Sequence, residues 1–300
     1  MKTLNINLPR TIARFEAAMK KRFLVKTVIY EKVFRGKGLE FDSFRNYNLG
    51  DDASLIDWKA SMKANQPLVK QYIEERALKV FFIVDVGDNM VFGSGEKLKN
   101  EAAAEISASL AHLITGLGDS IGFALYNDGI VNMRMPSTGI KQFYIFTKNL
   151  TDPKSYGGKS DLKKALTSLL PYLKEVSAVF IISDFVRMDA ECEKILKGFS
   201  RRFETVGIMV RDPVDMKMPD LKREVVIEDV YTGEQLLINP GLIKHEYEKY
   251  ALEQKKKVQE VFKKAGSDLI EIYTDKDFIK PLTESLNARV RRRKYIMPKR

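Results

Sequence analysis

Residues 78–90, from Leu78 to Met90, read LKVFFIVDVGDNM, and this stretch decides the fold. An almost unbroken run of large apolar residues ends in an acidic turn that contains a glycine. A continuous apolar run of this length is typical of a strand buried on both faces, as in a parallel sheet covered by helices. Asp85 would then lie at the carboxyl end of this strand, where open α/β sheets place their ligand crevices.

The chain beyond this stretch alternates between strand and helix patterns. Further strands are predicted at residues 120–126, 130–135, 178–185, 204–211 and 268–273, with helices at 96–115, 139–150, 160–173, 189–200, 241–265 and 275–287. Asn127-Asp128-Gly129 is a hairpin signal, so one edge pair should be antiparallel. We therefore predict an α/β fold with a mostly parallel, Rossmann-like six-stranded sheet and helices on both faces.

Two further units are predicted beside this sheet. Residues 1–77 should form a small N-terminal α+β unit that packs on the sheet, with a helix from residue 8, an extended segment at 25–34 and a strand at 66–77. Residues 213–240 should contain an inserted β-hairpin around Thr232-Gly233. The main domain is predicted to span residues 78–287, and residues 288–300 form a basic tail.

Composition excludes several classes of site. The chain has 300 residues and a single cysteine, Cys192, so intrachain disulfides and thiolate zinc clusters are excluded. Neither of the two histidines, His112 and His245, falls beside a candidate nucleophile, which argues against a Ser-His-Asp device. No apolar run reaches the roughly 18–20 residues of a membrane helix, and the chain begins without an apolar secretory stretch. We predict a cytoplasmic protein.

The formal net charge of +11 indicates anionic partners, and much of it is concentrated at the end of the chain. The segment from Arg289 to Arg300 carries seven positive charges and no acid. Such a run is typical of a solvated tail, and the alternative is a site for nucleic acid or another anionic surface.

Two strand-end carboxylates suggest a metal site. Asp85 and Asp184 each end a predicted buried strand, and neighbouring strands would bring them to one crevice. Paired carboxylates at low dielectric need a proton or a cation, and oxygen ligands favour a hard ion such as Mg²⁺, Mn²⁺ or Ca²⁺. Ser160 could add a hydroxyl from a third loop. Its alternative role, shared with Asp161, is to cap the following helix.

These loops carry a family resemblance. The motifs Asp85-x-Gly87-x-Asn89, Gly-Gly-x-Ser160-Asp161-Leu162 and Ile-Ser-Asp184 resemble, in order and spacing, the metal-ion-dependent adhesion site of von Willebrand factor A (vWA) domains. A more specific match lies in residues 36–58, which contain Arg45-x-Tyr47 and Gly50-Asp51-Asp52-x-x-x-Ile56-Asp57-Trp58. Over about residues 10–275 the chain is similar to the DUF58 family, whose members carry such a segment before a vWA-like domain.

The resemblance implies four metal ligands: Asp85, Asn89, Ser160 and Asp184. The chain departs from the family pattern in the first loop, where Gly87 and Asn89 stand in place of two serines. Gly87 removes one hydroxyl, whereas the Asn89 amide oxygen could still bind an ion. The alternative is a degenerate site that holds no metal and is maintained by hydrogen bonds.

The function that the resemblance implies is that of a non-enzymatic interaction adaptor. Such a protein would work with a MoxR-type AAA+ ATPase and a protein client in assembling or activating complexes. No Walker motif occurs in the sequence, so the ATPase would be a separate chain. The alternatives are a metal-dependent hydrolase that uses Asp85 and Asp184, or nucleic-acid binding through the basic tail.

The segment before the sheet has two compatible interpretations. As a docking face, it would offer Arg45, Tyr47, Asp51, Asp57 and Trp58 to a partner, because aromatic residues and arginine supply most binding hot spots. As a structural element, Asp51 and Asp57 would cap turns, while Tyr47 and Trp58 would be buried and anchor the N-terminal unit to the sheet.

Overall fold

The structure is a computed structural model that describes residues 4–19, 35–36, 40–48, 51–73, 78–186, 188–221, 223–229 and 232–296. Its helices are α1 Leu8–Ala18, α2 Trp58–Ala64, α3 Lys99–Gly116, α4 Ile140–Thr151, α5 Leu162–Leu169, α6 Ala190–Arg202, α7 Pro240–Lys264 and α8 Ile279–Ile296. Its strands are β1 Arg35–Gly36, β2 Glu40–Asn46, β3 Leu68–Ile73, β4 Lys79–Asp85, β5 Ser120–Tyr126, β6 Ile130–Ser137, β7 Ala178–Ser183, β8 Glu204–Arg211, β9 Val225–Glu228, β10 Gln235–Ile238 and β11 Asp268–Tyr273.

The main sheet has six strands in the order β11-β8-β7-β4-β5-β6. All neighbours are parallel except β5 and β6, the hairpin pair at one edge. Numbered within the sheet, this is the doubly wound order 3-2-1-4-5-6. The predicted vWA-like α/β fold is therefore confirmed, including the antiparallel edge.

Two layers of helices cover the sheet because successive side chains of its central strands point to opposite faces. Val80, Phe82 and Val84 of β4 pack into one core with residues of α1, α3, α4 and α8. Phe81 and Ile83 pack into the other with residues of α5, α6 and α7. Strand β4 is thus buried on both sides, which explains why its sequence does not alternate between apolar and polar residues.

The N-terminal unit contains more regular structure than its sequence predicts. Helix α1 is confirmed and packs on α3 and α8, with Phe15 fully buried. Residues 36–58, whose sequence has no sustained periodicity and reads as a structured loop region, contribute β2 to a three-stranded antiparallel sheet in the order β1-β3-β2. Helix α2 begins at the end of that segment, at Trp58. The predicted extended segment at 25–34 lies outside the described residues.

The predicted burial of Trp58 is wrong. Its side chain is 67% exposed at the first position of α2, and Met62, one turn later, is 79% exposed. The helix of seven residues is fixed by its polar cap and by Ser61, whose hydroxyl accepts a hydrogen bond from the Leu68 backbone N–H at 2.8 Å. Anchoring through these polar contacts does not require burial of the aromatic ring.

Two helix boundaries also differ from prediction. Helix α3 starts at Lys99 rather than near residue 96, because the Glu101 carboxylate accepts a hydrogen bond from the Leu98 N–H at 2.9 Å. Ser94 precedes this helix without capping it, and its hydroxyl donates to Asp212 at 2.6 Å. Helix α8 continues to Ile296, so most of the predicted basic tail has a helical backbone. Within the described part of the chain, no helix is long and apolar enough to cross a membrane.

The predicted hairpin is confirmed as β9 and β10, which form a separate two-stranded sheet. The division of the chain at residues 77 and 287 stays a prediction.

Candidate functional site

The candidate site lies where the sheet changes its winding direction, between β4 and β7. These strands are adjacent and parallel, with Val84 opposite Ile182, so their carboxyl ends meet at one edge. Asp85 is the last residue of β4, and Asp184 directly follows β7. Both side chains are buried, and with Asn89 and Ser160 they line a small cavity of about 50 Å³. The four predicted metal-site residues therefore come together.

Asp85 accepts hydrogen bonds on both carboxylate oxygens. Its Oδ1 accepts from the Gly87 N–H at 3.0 Å. Its Oδ2 accepts from the hydroxyls of Ser160 and Ser183, each at 2.8 Å, and from the Asn89 amide at 3.4 Å. This carboxylate thus ties together the ends of two strands and two loops.

Asp184 is paired with a lysine that the sequence analysis did not single out. Lys99, the first residue of α3, is 3% exposed, and its ammonium donates to Asp184 Oδ2 at 2.8 Å. The same ammonium lies 3.3 Å from Asp215 Oδ2. The other oxygen, Oδ1, accepts from the Asn89 amide at 3.0 Å and from the Val186 N–H at 3.2 Å.

The pKa values of the two carboxyl groups are therefore shifted in opposite directions. Burial and the nearby Asp184 charge raise the pKa of Asp85 to about 6. Burial alone would also raise the pKa of Asp184, but the Lys99 ammonium and the Asn89 amide outweigh it and hold that pKa below its ordinary value. Burial disfavours the charged form of Lys99, yet Asp184 and Asp215 keep its pKa above the ordinary value.

The loops around the centre are joined by backbone hydrogen bonds. The Asp88 N–H donates to the Gly158 carbonyl at 2.8 Å, and the Gly157 N–H donates to the Val86 carbonyl at 2.8 Å. Gly157 and Gly158 adopt φ values of +131° and +83°, which glycine reaches without the penalty that a side chain would bring. The glycine pair before Ser160 therefore serves loop geometry.

The loop after β7 contains a strained residue. Phe185 has a φ of +52°, a conformation that is uncommon for bulky side chains. Its ring is buried against Phe262 with the centroids 5.1 Å apart, and its N–H donates to the Ser183 hydroxyl at 3.1 Å. Burial and this hydrogen bond fix the backbone turn that places Asp184 and Val186 at the centre.

Whether a divalent ion fits can be tested on these contacts. A hard ion needs about six oxygen atoms that offer lone pairs to it. Here both oxygens of each carboxylate already accept hydrogen bonds, Ser160 acts as a donor, and Asn89 presents its amide nitrogen to both acids. In the part of the chain that the structure describes, no group of three or more His, Cys, Asp or Glu side chains could hold a metal. This arrangement does not suit an ion and favours the metal-free alternative, while the metal itself stays a prediction.

Two contributors to the centre were missed by sequence reasoning. Ser183 precedes Asp184 and passes for an ordinary strand residue, although it carries one of the hydroxyls on Asp85. Lys99 could have been noticed in the sequence, because a lysine in the first turn of a helix interacts unfavourably with the helix dipole. A cation at that position needs a nearby acid, and Asp184 is that acid.

Of the predicted partner-binding residues, Arg45 and Asp51 pair with each other. The guanidinium donates to both carboxylate oxygens, at 2.5 Å and 2.7 Å. The hydrogen bond from Arg45 lowers the pKa of Asp51 to about 2. This fork-to-fork contact shapes the loop after β2.

The remaining three residues differ in exposure. Asp57 caps α2 by accepting from the Ala60 N–H at 2.9 Å, and it lies 3.1 Å from the Lys70 ammonium. Tyr47 is half-buried, and Trp58 projects into solvent. The structural interpretation therefore suits Asp51 and Asp57, whereas Trp58 suits the docking interpretation.

Comparison with known proteins identifies the family. Residues 43–257 match the family described as "Protein of unknown function DUF58". The chain belongs to the DUF58 family. A relative from Mycobacterium tuberculosis (strain ATCC 25618 / H37Rv), described as "Uncharacterized protein Rv1480", is 28% identical over 261 residues, covering 85% of this chain and 81% of that protein.

Solved structures similar to this DUF58 protein are more distant. The conserved hypothetical protein BatB from Bacteroides thetaiotaomicron is 10% identical and has a TM-score of 0.47, covering 72% of this chain and 100% of that one. A von Willebrand factor type A structure from Catenulispora acidiphila is 8% identical with a TM-score of 0.30, covering 47% of this chain and 35% of that one. The fold of the DUF58 protein follows from its own strand order.

Proposed function

We propose that this protein is a non-enzymatic interaction adaptor that works with a MoxR-type AAA+ ATPase and a protein client. Family membership and the vWA-like fold support a protein-interaction role. The ATPase partnership rests on the DUF58 resemblance, and the absence of a Walker motif from the sequence is consistent with a separate motor chain.

The observation that carries the proposal is an apolar rim, formed by the exposed side chains Val91, Phe92 and Val186, on loops that hydrogen bonds hold in place. We call the surface formed by residues 86–92, 156–161, 184–186 and 188–189 the loop face. Val91, Phe92 and Val186 on this face are 45%, 41% and 50% exposed. The Phe92 ring lies 5.6 Å from the Lys99 ammonium, and the Val186 N–H is bonded to Asp184, so both flank the buried pair.

Rigidity is what distinguishes this rim from scattered surface apolar residues. The hydrogen bonds on Asp85 and between the loops fix the backbone before a partner arrives. A preformed surface avoids the ordering penalty of about 0.5–1.5 kcal/mol for each immobilised side chain. Apolar side chains on such a base are typical of the buried centre of a protein interface.

Helix α2 offers a second contact. Trp58 and Met62 lie four residues apart on one side of the helix, and both project into solvent. Exposed tryptophan is uncommon on monomer surfaces and is the residue most enriched among binding hot spots. We place the partner-binding role there on Trp58, with Arg45, Asp51 and Asp57 holding the scaffold below it.

The carboxylate contacts do not favour the hydrolase alternative. A general base must reach water, whereas Asp85 and Asp184 are both buried and each accept hydrogen bonds from the protein on both oxygens. Nucleic-acid binding through Arg289 to Arg300 stays a prediction, since side chains in that region lie outside the described residues.

The test measures binding of the purified chain to a purified MoxR-type ATPase from the same organism. Val186→Asp should weaken binding at least tenfold, because it places an unpaired charge at the centre of the interface. Tyr172→Asp is the matched control: Tyr172 is 56% exposed and precedes β7, at the opposite end of the sheet. Circular dichroism verifies that both variants are folded. Wild-type protein that does not bind the ATPase, or equal losses in the two variants, would contradict the proposal.

A further inference from the structure

The placement of Lys99 is unfavourable on two independent grounds. Its side chain is 4% exposed, and burial of an unpaired ammonium is strongly disfavoured. It also opens the 18-residue helix α3, where the dipole repels positive charge. A lysine retained there must be held by compensating anions, and its ammonium lies 2.8 Å from Asp184 and 3.3 Å from Asp215.

Two residues beside the carboxylate pair, Asn89 and Gly87, also contribute to holding the two acids without an ion. The Asn89 amide nitrogen lies between the two acids, at 3.4 Å from Asp85 and 3.0 Å from Asp184. Gly87 leaves the space that Asn89 needs, since a Cβ at that position would lie 2.7 Å from Asn89 Oδ1 and 2.9 Å from Ser160 Cβ. Glycine is not required by the backbone here, because its φ of −67° is ordinary.

We propose that the Lys99 ammonium, with the Asn89 amide, takes the place of a divalent cation at this centre. Lys99 supplies positive charge to Asp184, and the two serine hydroxyls and Asn89 satisfy Asp85. The chain thus stabilises its own carboxylate pair with one positive charge and neutral hydrogen-bond donors, and it holds the loop face in its binding shape without an ion. Two features that depart from the vWA pattern, Gly87 and Asn89, then have one explanation.

The first test is an ion titration of the intact wild-type protein. Thermal unfolding in EDTA and in millimolar Mg²⁺, Mn²⁺ or Ca²⁺ should give the same midpoint, and calorimetry should detect no binding heat. A ligand that binds only the folded state raises its stability by RT ln(1 + [L]/Kd), so an occupied site would be visible. A midpoint that rises with any of these ions would overturn the proposal, whatever the variants do.

The second test removes the ammonium. Lys99→Met should lower the folding equilibrium constant by about a hundredfold to a few thousandfold, because it leaves Asp184 buried and unpaired. Mn²⁺ should recover part of this loss in the variant, while Lys99→Met combined with Asp184→Asn should recover much of it without any ion. Lys163→Met is the control: Lys163 is 34% exposed and pairs with Glu191, which is 66% exposed, so its loss leaves no buried acid without a cation and should be small and insensitive to Mn²⁺.

Other outcomes of the second test count against the proposal. A Lys99→Met protein as stable as wild type would show that the pair carries no compensating charge. A destabilised variant that gains nothing from any ion would show that Lys99 only packs the site. The isolated chain suffices for these measurements, so they stand apart from the ATPase experiment. Only the corollary, that partner binding survives EDTA, rests on the proposed function.

Discussion

Replacing Gly87 with serine would restore the hydroxyl of the family pattern, yet the structure predicts that it destabilises the protein. The new Cβ would lie 2.7 Å from Asn89 Oδ1, 2.9 Å from Ser160 Cβ and 3.1 Å from the Gly158 carbonyl oxygen. Contacts below 3.0 Å require a neighbour to move. Asn89 and Ser160 are both held by hydrogen bonds to Asp85, so their movement weakens the centre.

The size of the effect follows from two opposing contributions. Forcing extra atoms into a packed site costs typically about 1–3 kcal/mol. Replacing glycine reduces the freedom of the unfolded chain, which returns about 0.4–1 kcal/mol. We expect a net loss of about 1–2 kcal/mol in the free energy of unfolding. Asn89→Ser in the same chain removes the closest contact and should make the double variant more stable than the sum of the single effects by about 1 kcal/mol.

Urea unfolding followed by circular dichroism measures these differences. Gly95→Ser is the control, because no heavy atom lies within 4 Å of the corresponding Cβ position. This variant should show only the stabilisation that comes from the lower conformational entropy of its unfolded chain. Its urea midpoint should therefore equal or exceed that of the wild type. Gly87→Ser as stable as Gly95→Ser would refute the crowding argument, and strictly additive losses in the double variant would refute the coupling to Asn89.

Three further predictions address neighbouring residues. Because burial and Asp184 raise the pKa of Asp85 to about 6, its protonation stabilises the fold below about pH 4, and that contribution is lost as the pH rises through 6. Asp85→Asn should therefore flatten the free energy of unfolding between pH 4 and 6, as measured by urea titration at each pH. Ser183→Ala should lower stability by about 2 kcal/mol at pH 7, because it removes a buried hydrogen bond to Asp85. Trp58→Ala should change the thermal midpoint little while weakening ATPase binding, and fluorescence of the single tryptophan should be readily quenched by iodide in the folded protein.

The fold could be predicted because its signals are local. The apolar run of β4, the hairpin glycine after Asn127 and the alternating strand and helix patterns each act over a few residues. Parallel neighbours also bring strand ends together by geometry, so the meeting of Asp85 with Asp184 followed from strand order. The N-terminal unit was harder, because β2 pairs with β3 across a helix and its exposed aromatic residues do not alternate in an obvious way.

The chemistry of the centre could be predicted only in part, because it depends on side-chain direction and on distant residues. Sequence reasoning treated Ser160 and Asn89 as sources of oxygen ligands, whereas in the fold the hydroxyl and the amide act as donors. Lys99 is 85 positions from Asp184, so no local motif could show their contact. Trp58 was expected inside the protein because large aromatic residues are usually buried, and that tendency gave way to the polar anchoring of α2.

If Lys99 takes the place of an ion as proposed, the centre is also protected against single substitutions that would restore ion binding. Removing Lys99 alone leaves Asp184 unpaired, and adding a hydroxyl at Gly87 alone drives it against Asn89. Replacing Asn89 alone withdraws a donor from both carboxylates without supplying a cation. Each single substitution is therefore expected to lower the free energy of unfolding. A bound ion could offset that decrease only in a protein that lacks Lys99. The three residues should behave as one coupled unit, and relatives that keep the lysine should also keep a small residue at the position of Gly87.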